Sequence, residues 1–162
     1  VYGPTGAGGA LGHWGSFWDT TIQTNPTASL PNSMRFNTTD STSNGVRMVD
    51  GSKLTFDFSG VYNIQFSAQF ANYHNQDHDV DVWFALNGAR IDWSNSRFSI
   101  IGTHGGINGH YIAAWNYMGT FAANDEIEIY WQTDNTLVQI ERLPASGDAP
   151  DTPSIILTID KL

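Results

Sequence analysis

The chain has 162 residues, enough for one domain with a substantial core of its own. Its formal charge is −9 and its seven basic residues (Arg35, Arg47, Lys53, Arg90, Arg97, Arg142 and Lys161) stand singly; this argues against a nucleic-acid partner, because phosphate binding needs clustered Lys and Arg. Cysteine is absent, which excludes a disulfide scaffold and a thiolate zinc site, and no apolar run approaches a membrane span.

In chain order, the first feature is glycine at Gly3, Gly6, Gly9, Gly12 and Gly15. Gly-X-Y spacing suits a collagen-like stalk, since only glycine fits at the axis where three chains meet. Gly8 interrupts the register and Pro4 is the only proline in it, so these triplets would not hold a triple helix alone. Residues 1–11 therefore read as the end of a glycine-rich, collagen-like stem and residues 12–162 as a head that does the trimerising. Because Val1 falls inside the register, the chain is expected to be the C-terminal part of a longer protein.

Beyond the stem, period-two alternation dominates and no window carries helical periodicity. Short strands are expected at Ser16–Gln23, Met34–Asn37 and Gly45–Val49. Asp50-Gly51 then opens a strand containing Leu54, Phe56 and Phe58. In Val61–Tyr73, the residues Tyr62, Ile64, Phe66, Ala68 and Phe70 share one face, opposite Asn63, Gln65, Ser67 and Gln69: a long half-buried strand. Val80, Val82, Phe84 and Leu86 alternate with Asp79, Asp81, Trp83 and Ala85, and Asn87-Gly88 supplies a type I′ hairpin turn. Further strands follow at Ile91–Ser94, Arg97–Ile101, Tyr111–Phe121, Glu126–Trp131, Leu137–Arg142 and, after the polar loop Pro144–Pro153, Ile155–Leu162. About ten short strands separated by turns imply an all-β sandwich.

Two segments depart from the half-buried pattern. Tyr111, Ala113, Trp115 and Tyr117 oppose Ile112, Ala114 and Met118, and Ile155, Leu157 and Ile159 oppose Ile156 and Leu162. A strand apolar on both faces is covered on both sides. In a small sandwich the second cover is another subunit or, alternatively, a long loop over a central strand. Trp83 and Tyr130 fall on polar faces, to be exposed or buried by a neighbouring chain; exposed rings of this kind stack on sugar faces, although interface packing is their commoner use.

Four of the five histidines sit in or beside two connections, Tyr73–Asp79 and Gly102–Gly109, which are separated by two strands and so share one end of the sandwich. Loops on a rigid scaffold are where binding residues concentrate, although Asn, Asp and Gly also serve turns for backbone reasons alone. The candidate ligand-binding residues are His74, Asn75, Gln76, Asp77, His78, His104, Asn108 and His110. No metal site is assigned: no histidine pair has a zinc-motif spacing, and Asp77, Asp79 and Asp81 lack the twelve-residue calcium-loop pattern. No catalytic residue is assigned either. Glu126 and Glu128 read as the solvated face of a strand after the Asn124-Asp125 turn, and neither a nucleophile elbow nor a P-loop is present.

The succession GSFWDTTIQT, MRFNTTD, VDGSKLTFDFSGVYNIQFSAQF, DVDVWFALNG, WSNSRFSI, AAWNYMGTFAANDEIEIYW and PSIILTIDKL resembles a family of phage virion proteins. These are heads placed behind collagen-like repeats in tail-fibre and other fibrous proteins, and they are similar to the tumour necrosis factor and complement globular-head superfamily. The resemblance runs from about Gly12 to Leu162, and GVYNIQFSAQ and DVDVWFALNG are its most specific parts. It implies a ten-strand jelly roll and a homotrimer with both termini at the stalk end and the histidine-bearing loops at the tip. It supplies no catalytic motif and no cofactor. Tyr111, Trp115, Tyr117, Ile155, Leu157 and Ile159 are then the expected trimer-interface residues. The expected function is that of a virion fibre head that meets a bacterial surface glycan or protein and joins other virion proteins through its stem, without membrane insertion. A purely architectural trimerisation cap and a secreted cytokine-like or complement-like ligand are the alternatives.

Overall fold

A computed structural model describes residues 12–162, so the stem expected over residues 1–11 lies outside the described residues. The described chain is all-β, with fourteen strands and no helix. Ten strands have three or more residues: β1 (Trp14–Asp19), β5 (Val46–Val49), β6 (Lys53–Phe56), β7 (Gly60–Asn72), β8 (His78–Leu86), β10 (Ser96–Ile100), β11 (Gly109–Phe121), β12 (Glu126–Thr133), β13 (Val138–Ile140) and β14 (Ile155–Lys161). Four two-residue pieces complete the set: β2 (Gln23–Thr24), β3 (Asn32–Ser33), β4 (Thr38–Thr39) and β9 (Ala89–Arg90).

The strands form two antiparallel sheets that face one another as a sandwich. In the first, β7 pairs with β11 along one edge, and with β14 and then β13 along the other; β1 and β4 follow beyond β14, and β2 beyond β13. The second has the order β10-β8-β12-β6-β5, with β3 added to β12 and β9 to β8. Between the sheets, Tyr62, Ile64, Phe66, Ala68 and Phe70 of β7 are all buried, as their alternation requires. They meet Val80, Val82 and Phe84 of β8 and Ile127, Ile129 and Trp131 of β12 in one core. Aromatic contacts run along the length of β7. Phe56 lies 4.5 Å from Tyr62 and 4.4 Å from Phe121, Phe66 meets Trp115 edge-on at 4.6 Å, and Phe70 meets Phe98 at 5.2 Å and Trp131 at 5.5 Å.

The expected turns have their required geometry. Asn87 and Gly88 have φ of 50° and 82°, and Asp50 and Gly51 have 52° and 71°, so both dipeptides turn tight hairpins. Several expected strands are shorter, split or missing: Ser16–Gln23 breaks after Asp19, Leu137–Arg142 keeps only Val138–Ile140, and three others have a visible physical reason. Met34 and Phe36 are buried, but the backbone there crosses between sheets: Met34 N bonds Ile129 O of the second sheet, and Asn37 N bonds Trp18 O of the first. Ile91–Ser94 is a turn, closed by the Ser94 hydroxyl on Ile91 O at 2.8 Å. The β6 strand ends at Phe56; Phe58 lies beyond it, its ring stacked on His13 at 4.0 Å with the Lys161 ammonium 5.9 Å away.

The last strand brings a correction. Ile155, Leu157 and Ile159, expected at a subunit interface, are 0 %, 1 % and 2 % exposed within the single chain. Pairing with β7 sets Ile155 opposite Ala68 and Leu157 opposite Phe66, so these side chains face the sandwich interior. It is Ile156 that emerges on the outer face.

The two ends of the described chain lie side by side. Trp14 pairs with Asp160, and Lys161 N bonds His13 O at 2.8 Å. Phe70→Ala is expected to lower unfolding free energy by about 3–5 kcal/mol, since it removes the ring that joins Phe98 of one sheet edge to Trp131 of the core. Urea denaturation measures the loss, and a cost under about 1 kcal/mol would mean that the two sheets do not depend on this contact.

Candidate functional site

At the end of β7 away from the termini, three connections converge: residues 73–77, 101–108 and 134–137. Asn72, fully buried, ties down the first and the start of the second, and Tyr73 N bonds Leu137 O of the third at 3.0 Å. Its amide nitrogen donates to Gln76 O at 2.8 Å and Ile100 O at 3.1 Å, and its side-chain oxygen accepts from His74 N at 2.9 Å. Thr103 N then donates to His74 O at 2.7 Å, and Gly102 N to Asp77 Oδ1 at 2.8 Å. Two glycines permit this proximity. A Cβ on Gly102 would lie 2.6 Å from the Asn75 carbonyl carbon, and one on Gly109 only 1.8 Å from Ile101 O.

The structure therefore brings the expected loop residues together, but it gives them different surroundings. His78 is mostly buried and is held on both sides, with Nδ1 2.7 Å from Asp134 Oδ1 and Nε2 2.8 Å from His74 Nδ1. Asp77 spends its carboxylate on the Gly102 amide, and Asn108 accepts from the Thr103 hydroxyl at 3.2 Å. Asn75, Gln76 and His104 stand in solvent. His110 is half-exposed on β11, with Nδ1 2.7 Å from Glu141 Oε1. Glu141 is almost fully buried and also accepts the Tyr73 hydroxyl at 2.8 Å, so one carboxylate fixes two groups beside the loops.

Sequence reasoning missed Glu141, whose only signal is an acid ending the apolar alternation of Val138 and Ile140. It also missed Ile101 and Ile107, which are 64 % and 72 % exposed on these loops. Among the described residues no group of three or more His, Asp or Glu side chains could hold a metal ion. Asp77, Asp79 and Asp81 bond separately to Gly102, Ser99 and Arg97.

The β10–β11 edge is the second notable surface. Among the described residues, no further strand pairs with the outward side of β11. Tyr111 stacks on Phe98 at 4.3 Å and Tyr117 on Phe84 at 4.9 Å, while Trp115 sits half-buried against Phe66. Around the same strand Ile112 and Met118 are 61 % and 56 % exposed. A thirteen-residue open edge with apolar neighbours is a surface that proteins ordinarily cover.

On the outer face of the second sheet, Trp83 and Tyr130 stack on each other with centroids 5.8 Å apart. Beside them Asp81 is nearly buried and takes a two-pronged contact from Arg97, Nε at 3.0 Å and Nη2 at 2.8 Å. Those hydrogen bonds hold the Asp81 carboxyl below the ordinary carboxylate range, with Asn95 assisting, against the opposite pull of burial.

Compared with known proteins, the chain matches no family model and no curated protein.

Two outcomes follow. Asn72→Ala orphans the buried Ile100 carbonyl and releases that of Gln76, and is expected to cost about 2–3 kcal/mol, with amide exchange rising first in residues 73–77 and 101–103. The Asp81 contribution to stability is complete above the unfolded aspartate value of about 3.9, and is lost as pH falls through the lower native value. Asp81→Asn should flatten that acid limb in urea midpoints taken from about pH 6 to about pH 2, and an unchanged slope would show that the pair contributes nothing.

Proposed function

We propose that the chain is the head of a trimeric phage fibre, a ten-strand jelly roll of the tumour necrosis factor and complement-head type, which attaches the virion to the surface of its bacterial host. The observation that carries this reading is the polarity of the sandwich. Both ends of the described chain lie at one end, and the Asn72-anchored loops gather at the other. A protein carried on a stem and meeting a partner at its tip needs that arrangement. The orders β11-β7-β14-β1 and β10-β8-β12-β6-β5 support the jelly roll. The open β11 edge, with Tyr111, Trp115 and Tyr117 on one side and Ile112 and Met118 on the other, supports a subunit contact.

The mechanism is binding and not turnover. Three copies around an axis present three sets of tip loops, and simultaneous contact raises a weak affinity to a strong one. Asn75, Gln76 and His104 offer exposed polar contacts there, and Ile101 and Ile107 offer apolar ones. The stem joins the head to other virion proteins.

Light scattering on residues 12–162 is expected to give three copies. Ile112→Asp with Met118→Asp should yield a folded single copy, since both side chains are exposed within one chain. A wild-type protein that remains single at micromolar concentration would remove the trimer. Excess head should block phage adsorption, and replacing residues 74–77 and 103–107 with Gly-Ser turns should abolish the block. A folded head that never competes would favour the architectural cap.

A further inference from the structure

The outer face of the second sheet carries an arrangement that the tip loops do not use. Trp83 of β8 stands opposite Tyr130 of β12 in register, and the two rings stack at an interplanar angle of 15°. One step along the same face, a polar row crosses three strands: Arg97 opposite Asp81, and Asp81 opposite Gln132. One step the other way is the small side chain of Ala85. Together with the turn after β9, these residues line an open groove of about 720 Å³.

Trp93 rises from that turn into the same groove. It is fully exposed, at 102 %, and its φ is +66°. A bulky side chain in the left-handed region is strained, and an indole in water gives up the burial that large aromatics ordinarily gain. Folding needs neither. The turn is fastened by its neighbour Ser94, whose hydroxyl bonds Ile91 O at 2.8 Å and accepts Phe84 N at 3.0 Å. Trp93 is thus presented by a turn that holds without it.

Charge and shape then select the ligand. Arg97 is paired with Asp81, and Arg90 lies 3.8 Å from Asp92, so the two guanidinium groups of the groove are balanced by two carboxylates. A phosphate or sulfate would find no unpaired cation there. The aromatic faces call for a flat, weakly polar surface with positively polarised C–H groups, because an aromatic face carries partial negative charge. The planar side chains of Asp81, Gln132, Asn95 and Arg97 call for paired donors and acceptors at that surface's rim, about 6.7 Å away along the strand. A pyranose ring has both, with C–H groups on its face and vicinal hydroxyls on its edge.

We infer that this flank is a binding groove for a neutral oligosaccharide, with Trp93, Trp83 and Tyr130 as its stacking surface, and with Gln132, together with Arg97 and Asn95 held in place by Asp81, meeting the hydroxyls. The inference deepens the attachment reading and rests on it for biological purpose, though not for the binding itself. It places the sugar on the side of the head, where a chain longer than one residue lies across the strands.

The test is calorimetry on residues 12–162 with cellohexaose, mannohexaose and maltohexaose, and with a hexamer of galacturonic acid as the anionic control. At least one neutral hexamer is expected to bind, with a Kd on the order of 0.1–1 mM, and more tightly than the control. Trp93→Gly keeps the left-handed backbone open to the turn, so the melting temperature should stay level or rise while affinity falls by about tenfold or more. Gln132→Ala should weaken binding in a protein that still melts cooperatively. The inference is overturned if no neutral hexamer binds at about 10 mM, or if Trp93→Gly binds as tightly as the parent. It is also overturned if Trp93→Gly lowers the number of subunits, which would make the groove a contact between copies. A head that blocks adsorption without binding any hexamer would leave attachment standing and remove the groove; the reverse result would remove attachment and leave the groove.

Discussion

Strand β7 is the member on which the other elements are registered. Its thirteen residues are paired along their whole length with β11, and on the other edge with β14 and β13. Because side chains alternate strictly, one slip in that pairing would exchange Tyr62, Ile64, Phe66, Ala68 and Phe70 for Asn63, Gln65, Ser67 and Gln69 in the core. The cost of burying those amides and hydroxyls without partners makes the register unique. Its direction also sets the molecule's polarity: Gly60 lies beside the chain ends and Asn72 beneath the loops.

Where alternation is clean, as in β7 and β8, the sequence was a sufficient guide to the fold. The turns Asn87-Gly88 and Asp50-Gly51 were legible because positive φ restricts residue choice so severely. Segments that change sheets were not. Met34 and Phe36 alternate like strand residues, yet the Met34 amide bonds the second sheet and the Asn37 amide the first. The two faces of β14 were legible as apolar, but not which of them turned inward; that depends on the register against β7, which no local pattern contains. The loops were legible as histidine-rich and as sharing an end. The partners that immobilise them were not, since Asp134 and Glu141 lie far along the chain from His78 and His110.

The two sheets present different chemistry at their surfaces. The first ends in a long open edge, with aromatic side chains on one side and aliphatic ones on the other. The second covers its outer face with paired charges, amides and stacked rings. A surface of the first kind gains by excluding water over a broad contact, and one of the second kind by replacing water with directed hydrogen bonds at a few positions. The two kinds of surface lie on different sheets, and the loops gathered over Asn72 form a third region apart from both.

The pairing of Trp14 with Asp160 at one end of the sandwich has a mechanical consequence. β1 leads from that end toward the loops, and its six residues are hydrogen-bonded to β14 on one side and in part to β4 on the other. Tension applied between Trp14 and the loops at the opposite pole would pull β1 lengthwise against its neighbours. Every rung of that ladder then bears the strain together, whereas a perpendicular tug would part them one after another. That lengthwise loading makes the first strand hard to peel.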